Sequence, residues 1–280
     1  MKVPAGTHRA GAGETAIRLD GVICTRGGKL ALDIDQLRIA AGERVAIVGH
    51  NGAGKSTLLR LLAGFVRPER GIALVLGRRL PSRTSVGPLK GLRREIGQVF
   101  QGLHLVQRLS ALDNVLIGAL GRLTGWRTWL RWHRAEDIAE AEAALCEVGL
   151  LAKADLRVDR LSGGERQKVA IARMRMQRAR LILADEPTAA LDPQAAAKVC
   201  ALLARAAQGA TLLSVVHNPA LLPLLADRVI GLRQGRIVFD LPLAEVDDCR
   251  LLALYRADAE DVMPRIADQP AARNLAVESA

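Results

Sequence analysis

Cysteine is scarce in this chain, and its placement offers nothing to cross-link. Cys24, Cys146, Cys200 and Cys249 lie far apart and make no CxxC or Cys/His ligand spacing. That argues against a disulfide framework and fits a reducing compartment. Long apolar runs are also missing. The longest, such as Ala220 to Ala226 with Pro223 inside it, suit buried helices, far short of the ~18–20 residues that a bilayer span needs. Met1-Lys2-Val3-Pro4 has charge but no apolar stretch behind it, so no secretory signal is expected. The expectation is a soluble chain that reaches a membrane only through a partner. With 26 glycines and 11 prolines there is no low-complexity bias, and no segment repeats.

What is present is an ordinary globular balance. Of 280 residues, 50% are hydrophobic and 25% charged, enough for one large α/β domain or two small ones. Forty Lys+Arg against 29 Asp+Glu leave a net charge of +11. Such a surplus favours anionic neighbours, and on charge alone a solvated basic surface is the simplest reading.

Short strand-like runs dominate from Thr15 to Val48. Leu32 and Ile34, then Leu37 and Ile39, alternate with polar residues across a one-residue slip, which predicts half-exposed strands with a bulge or turn. Arg44 to Val48 predicts a buried strand, and Lys55 to Ala63 a helix ended by Gly64. A helical run begins at Asp113, another covers Ala135 to Val148, and a third follows Ser162, so a small helical subdomain is expected over about 103–178. The strand Leu181 to Ala184, the helix Pro193 to Ala207 and the strand Ala210 to Val216 complete the alternation that a mostly parallel sheet requires. A domain over 15–240 is expected, with a tail over 241–280 that is helical near Leu251 to Tyr255.

Gly49-His50-Asn51-Gly52-Ala53-Gly54-Lys55-Ser56 fits G-x-x-x-x-G-K-S. The glycines let backbone N–H groups curl round a phosphate chain. Lys55 reaches β/γ oxygens and the Ser56 hydroxyl can ligand Mg²⁺. The preceding strand and the following helix N-terminus, at Ser56 and Thr57, are the context this chemistry needs. A nucleoside triphosphate is the expected ligand. Hydrolysis further needs carboxylates, and the strand ending in Asp185-Glu186 supplies one for Mg²⁺ (Asp185) and one to polarise the attacking water (Glu186). Alone, Ser162-Gly163-Gly164-Glu165 would be only a capped helix start.

The order of these motifs, phosphate loop, Leu161-Ser162-Gly163-Gly164-Glu165, Asp185-Glu186 and then His217, resembles the ATP-binding subunits of ABC transporters over roughly Ile17 to Asp240. The resemblance implies an ABC-type fold, with an N-terminal antiparallel β subdomain and an inserted helical subdomain. It implies that Gln101 contacts Mg²⁺ and the water and senses a transmembrane partner. Ser162, Gly163 and Gly164 would bind the γ-phosphate held by the opposite subunit of a homodimer. Asp192 matches the aspartate of the loop that follows the acidic strand, and His217 the histidine that contacts the γ-phosphate. The chain departs from the family's pattern at Glu165, usually glutamine, and at Ala190, usually serine. Arg26 falls where the family stacks an aromatic ring on adenine, and a guanidinium can stack on a base.

Coiled-coil insertions, a second cassette and membrane spans are absent from the sequence, leaving a stand-alone importer subunit. Leu105 to Ser110, Asn114 to Leu120, Trp126-Arg127-Thr128 and Leu232 to Gly235 look like the ATPase of phosphonate importers. The expectation is an ATP- and Mg²⁺-dependent ATPase at the cytoplasmic face of the membrane. It would power uptake of a phosphonate or related oxyanion through permease subunits supplied by an external solute-binding protein, with no nucleic-acid partner. The alternatives are an importer for another solute, or a non-transport ATPase serving nucleic acid or a phosphonate-degrading complex. Trp126, Trp129 and Trp132, interleaved with Arg127, Arg131 and Arg134, share one helical face. Either they pack inside the helical subdomain, or at least one is exposed and docks on the permease.

Overall fold

The computed structural model describes residues 14–81, 89–100, 103–122, 134–189 and 191–261. Along the chain, β1 (Thr15–Arg26) and β2 (Lys29–Ala40) form a hairpin, and β3 (Arg44–Val48) runs into helix α1 (Lys55–Leu62). Strands β4 (Arg70–Val75) and β5 (Arg78–Arg79) follow, then a short helix α2 (Lys90–Arg94) and β6 (Ile96–Val99). Helices α3 (Ala111–Ile117), α4 (Ala135–Glu147) and α5 (Gly163–Met176) precede β7 (Leu181–Asp185). The chain continues through α6 (Pro193–Ala206), β8 (Thr211–Val215) and α7 (Leu222–Leu225). A hairpin of β9 (Arg228–Arg233) and β10 (Arg236–Pro242) then leads into α8 (Asp248–Asp261).

Two sheets result. One is antiparallel in the order β2-β1-β4-β5; the other runs β10-β9-β3-β8-β7-β6. In the second, β9, β3, β8, β7 and β6 are mutually parallel, and β10 closes the edge antiparallel to β9. The expected α/β architecture, with its antiparallel β subdomain and helical insertion, is present.

The parallel strands are buried on both faces, which is why they read as unbroken apolar runs. Their side chains divide by strand periodicity. Val45 and Ile47 of β3, Leu181 and Leu183 of β7 and Leu213 of β8 join a core with the antiparallel sheet and α1. Ala46, Val48, Ile182, Ala184 and Leu212 join a second core with α3 to α6. In α1, Leu58, Leu59, Leu61 and Leu62 are all buried, each adding about 1.5–3 kcal/mol of transfer free energy. Helix α8 is held to the second core by Leu251 and Leu254.

Two local readings change. The slip in β2 is neither a turn nor a local bulge there. Buried Leu19 and Val22 on β1 change phase at the same level as Ile34 and Leu37 on β2, so the pairing holds from Ile17↔Ile39 to Cys24↔Leu32. The helix expected from Asp113 starts at Ala111, because the Ser110 hydroxyl accepts a bond from the Asp113 N–H and caps it (3.0 Å).

Candidate functional site

The carboxyl ends of adjacent parallel strands gather the chemistry, as open α/β sheets arrange their ligand sites. Strand β3 lies between β9 and β8 and delivers the phosphate loop; β7 delivers Asp185 and Glu186; β8 delivers His217. The loop is pressed between two hairpins. A side chain at Gly49 would stand 2.1 Å from the Leu232 carbonyl oxygen, and one at Gly54 2.7 Å from that of Ala31. Gly54 also has φ +103° at the N-cap of α1, a conformation open to glycine. The Gly235 N–H donates to Ala53 O and the Asp33 N–H to Gly235 O, both at 2.9 Å, tying the loop to both hairpins.

Lys55 is buried, 5% exposed, and its Nζ donates to Gly49 O (2.7 Å) and His50 O (2.8 Å). An ammonium has three donors, so one remains for an incoming anion. Burial pulls the Lys55 pKa below its usual value, against the attraction of Glu186 and Asp185. The Ser56 hydroxyl donates to Asp185 Oδ1 at 3.3 Å. Burial raises the Asp185 carboxyl above the usual range; the Ser56 bond opposes this, Glu186 adds to it, and Arg60 and Lys55 oppose it. A magnesium ion with bonds of about 2.1 Å puts adjacent oxygens about 3 Å apart, so this pair fits two positions of one octahedral shell. Glu186 holds φ +51° and accepts at Oε1 from His217 Nε2, or donates to it, at 2.6 Å.

Of these groups, Lys55, Ser56 and Glu186 border a cavity of about 350 Å³, lined further by Arg26, Lys29, Leu30, Ala31, Asn51, Gly52, Gly54 and Thr57, whereas Asp185 and His217 are not on its wall. Arg26, which the family resemblance set at the base, lines this cavity. Lys29 and Leu30 were not anticipated; the Gly27-Gly28 turn, which folds them back beside Arg26, is the sequence signal that could have found them.

Ser162, Gly163, Gly164 and Asp192 are not among the lining residues. Ser162 caps α5 in a reciprocal capping box, its Oγ accepting from the Glu165 N–H (3.3 Å) while the Glu165 carboxylate accepts from the Ser162 N–H (3.0 Å). Glu165 is held below the usual carboxylate range by Lys153 first and by the Ser162 N–H. Asp192 caps α6 through the Ala195 N–H (2.9 Å). A Cβ on Gly164 would lie 3.8 Å from Leu191 Cδ2, so the two helix starts adjoin. Gln101, Ala190 and the three tryptophans lie outside the described residues.

The ABC transporter family profile matches residues 32–189, from the first hairpin through the Asp185-Glu186 strand. The chain belongs to that family. As an ABC cassette it is similar to the phosphonates import ATP-binding protein PhnC 1 of Pseudomonas aeruginosa (strain UCBPP-PA14), at 44% identity over 87% of this chain and 90% of that protein. The phosphonates import ATP-binding protein PhnC 1 of a Nostoc species is 40% identical over 89% of this chain and 96% of its own. Among solved structures, the cassette is similar to an ATP-binding cassette captured as a dimer in a post-hydrolysis state with ADP and Pi. That similarity has a TM-score of 0.71 and 30% identity, covering 81% of this chain and 98% of that one. It also resembles cbiO1 of Clostridium perfringens, part of an ABC transporter complex, with TM-score 0.71 and 27% identity over 90% and 97% of the two chains. No described helix of this cassette is long and apolar enough to cross a membrane.

Proposed function

We propose that this cassette hydrolyses ATP to power import of a phosphonate or related oxyanion. It would work as a two-fold dimer beneath permease subunits, at the cytoplasmic face of the membrane, with solute delivered by an external binding protein. The carrying observation is the meeting of Lys55, Ser56, Asp185 and the Glu186–His217 pair at one end of the parallel sheet. Asn51, Gly52, Ala53, Gly54, Ser56 and Thr57 cradle the phosphates with backbone N–H groups, and Lys55 adds its charge at the β/γ oxygens. Ser56 and Asp185 would hold Mg²⁺, with Gln101 as the third side chain. When bound, that ion neutralises charge on the phosphate oxygens. Glu186 polarises the attacking water and takes its proton, while His217 steadies Glu186 and reaches the γ-phosphate. Ser162, Gly163 and Gly164 of the second copy, with Asp192, complete each site.

The likeness to phosphonates import proteins, 40–44% over nearly nine-tenths of the chain, supports the transport reading. The surplus positive charge does not, because the solute passes through other subunits. The test is growth of the source organism on a phosphonate as sole phosphorus source after deletion of this chain. Wild type is expected to restore growth and to co-purify with an integral membrane protein, and Lys55→Ala to restore nothing. Undiminished growth of the deletion strain would sink the transport assignment.

A further inference from the structure

The polar side chains at the far end of the nucleotide cavity are hydrogen-bond donors. The phosphate end is made by Asn51 to Thr57, so a nucleoside attached to phosphates held there extends toward the β1–β2 hairpin and its four lining residues, Arg26, Lys29, Leu30 and Ala31. A guanidinium and an ammonium carry donors only. Arg26 and Lys29 are both exposed, and neither pairs with a carboxylate among the described residues. Leu30, 51% exposed, offers an apolar surface for a ring face, and the Ala31 carbonyl oxygen is turned toward Gly54. The side-chain acceptors in the lining, Asn51, Ser56, Thr57 and Glu186, belong to the phosphate loop, the start of α1 and the end of β7.

The two purines differ at the edge such donors read. Guanine presents two acceptors side by side, O6 and N7, whereas adenine sets an amino donor beside N7. A guanidinium meets the guanine edge with two parallel bonds and meets the adenine amino group with nothing to accept its proton. Stacking of Arg26 on a ring face is open to either base, so the edge contact is left to discriminate.

We propose that the hairpin forms a base subsite whose polar side chains are donors only, with Arg26 as the specificity-determining side chain, through which this cassette holds guanine nucleotides at least as tightly as adenine nucleotides. This rests on reading the cavity as the nucleotide site. The test is calorimetric titration of the full chain with ADP and with GDP, which reads binding without turnover. GDP is expected to bind as tightly as ADP or more tightly. Arg26→Ala, at the exposed end of β1, is expected to weaken GDP about five- to tenfold more than ADP. Arg26→Tyr, which exchanges the donors for an aromatic ring, should tilt the ratio toward ADP by a similar factor. The inference is overturned if wild type prefers ADP by more than about threefold, or if Arg26→Ala moves both affinities equally. Failure of wild type to bind either diphosphate overturns the nucleotide reading itself, whereas tight ADP with weak GDP overturns only the inference about the base.

Discussion

Glu186 sits at φ +51°, a left-handed conformation that costs a non-glycine residue about 1–3 kcal/mol. The surrounding contacts hold it there, with His217 Nε2 at 2.6 Å from its carboxylate, at the edge of the phosphate cavity. Glu186→Gln preserves shape and a hydrogen bond to His217 but removes the proton acceptor. ATP and Mg²⁺ binding are expected to persist while hydrolysis falls about 10²–10⁴-fold. ATP-bound dimers should then accumulate, visible by size-exclusion chromatography. Turnover within about threefold of wild type would remove Glu186 from the mechanism. Its neighbour Asp185 behaves differently. Because burial raises its pKa, the ionised form is disfavoured in the folded chain relative to the unfolded one. Any stabilisation from the protonated carboxyl is complete below the unfolded pKa and is lost as pH rises through the folded one. Asp185→Asn is therefore expected to raise the melting temperature of the ligand-free chain at pH 7, with the gain fading as pH falls through the Asp185 pKa. The same variant should lose Mg²⁺-dependent tightening of nucleotide binding. A lower melting temperature at pH 7 would show that the Ser56 and Lys55 contacts outweigh burial.

Among the elements, α5 connects more than its sequence advertises. Arg173, near its carboxyl end, donates to His104 O and Leu103 O, both at 2.7 Å. Those two residues stand at φ +44° and +53° in succession, so the guanidinium clamps a strained turn just beyond β6. Burial lowers the Arg173 pKa. Arg173→Ala strands the two carbonyls and is expected to cost about 1.5–3 kcal/mol in urea unfolding. Arg173→Lys, a point charge without the two-pronged geometry, should recover part of that. Equal stability of Arg173→Ala and wild type would show that the turn needs no clamp. Nothing local in the sequence announces this role, because an arginine on a helix reads as a surface cation until the chain brings residue 104 to residue 173. The same holds for Asn114, fully buried and bonded to Val106 N–H and O and to Ser110 O. Where local rules act, the sequence was legible. The glycine-lysine start of α1, the capped start of α5 at Ser162 and the start of α6 at Pro193 stand as read, as do the unbroken apolar runs of β3, β7 and β8. The phase change in β2 was misread because it is shared with β1, and pairing across strands is invisible in either strand alone.

At the scale of the whole molecule, one chain presents two incomplete halves. The phosphate cavity has Lys55 and Glu186 on its wall, while Ser162, Gly163 and Asp192 are exposed and outside it. A side chain at Gly163 would meet nothing within 4 Å. An exposed helix start with unshielded N–H groups attracts anions, and a two-fold axis is the simplest way to bring the start of α5 in one copy over the phosphate loop of the other. In such a dimer a Lys55→Ala chain paired with a Ser162→Arg chain carries both lesions in one composite site and leaves the other site intact. Each variant alone is expected to be inactive, since both of its sites are damaged. Mixed in equal amounts, random pairing makes half the dimers heterodimers with one working site of two. ATPase should then return to about a quarter of the wild-type rate if each site turns over independently. That recovery requires the lesions to act across the interface, because lesions confined within one chain cannot complement by pairing. A mixture no more active than its components, with heterodimers verified by differential tags, would mean either that both lesions act within one chain or that the sites fire only together. A fully active, strictly monomeric wild type would mean that Ser162 serves no second copy at all.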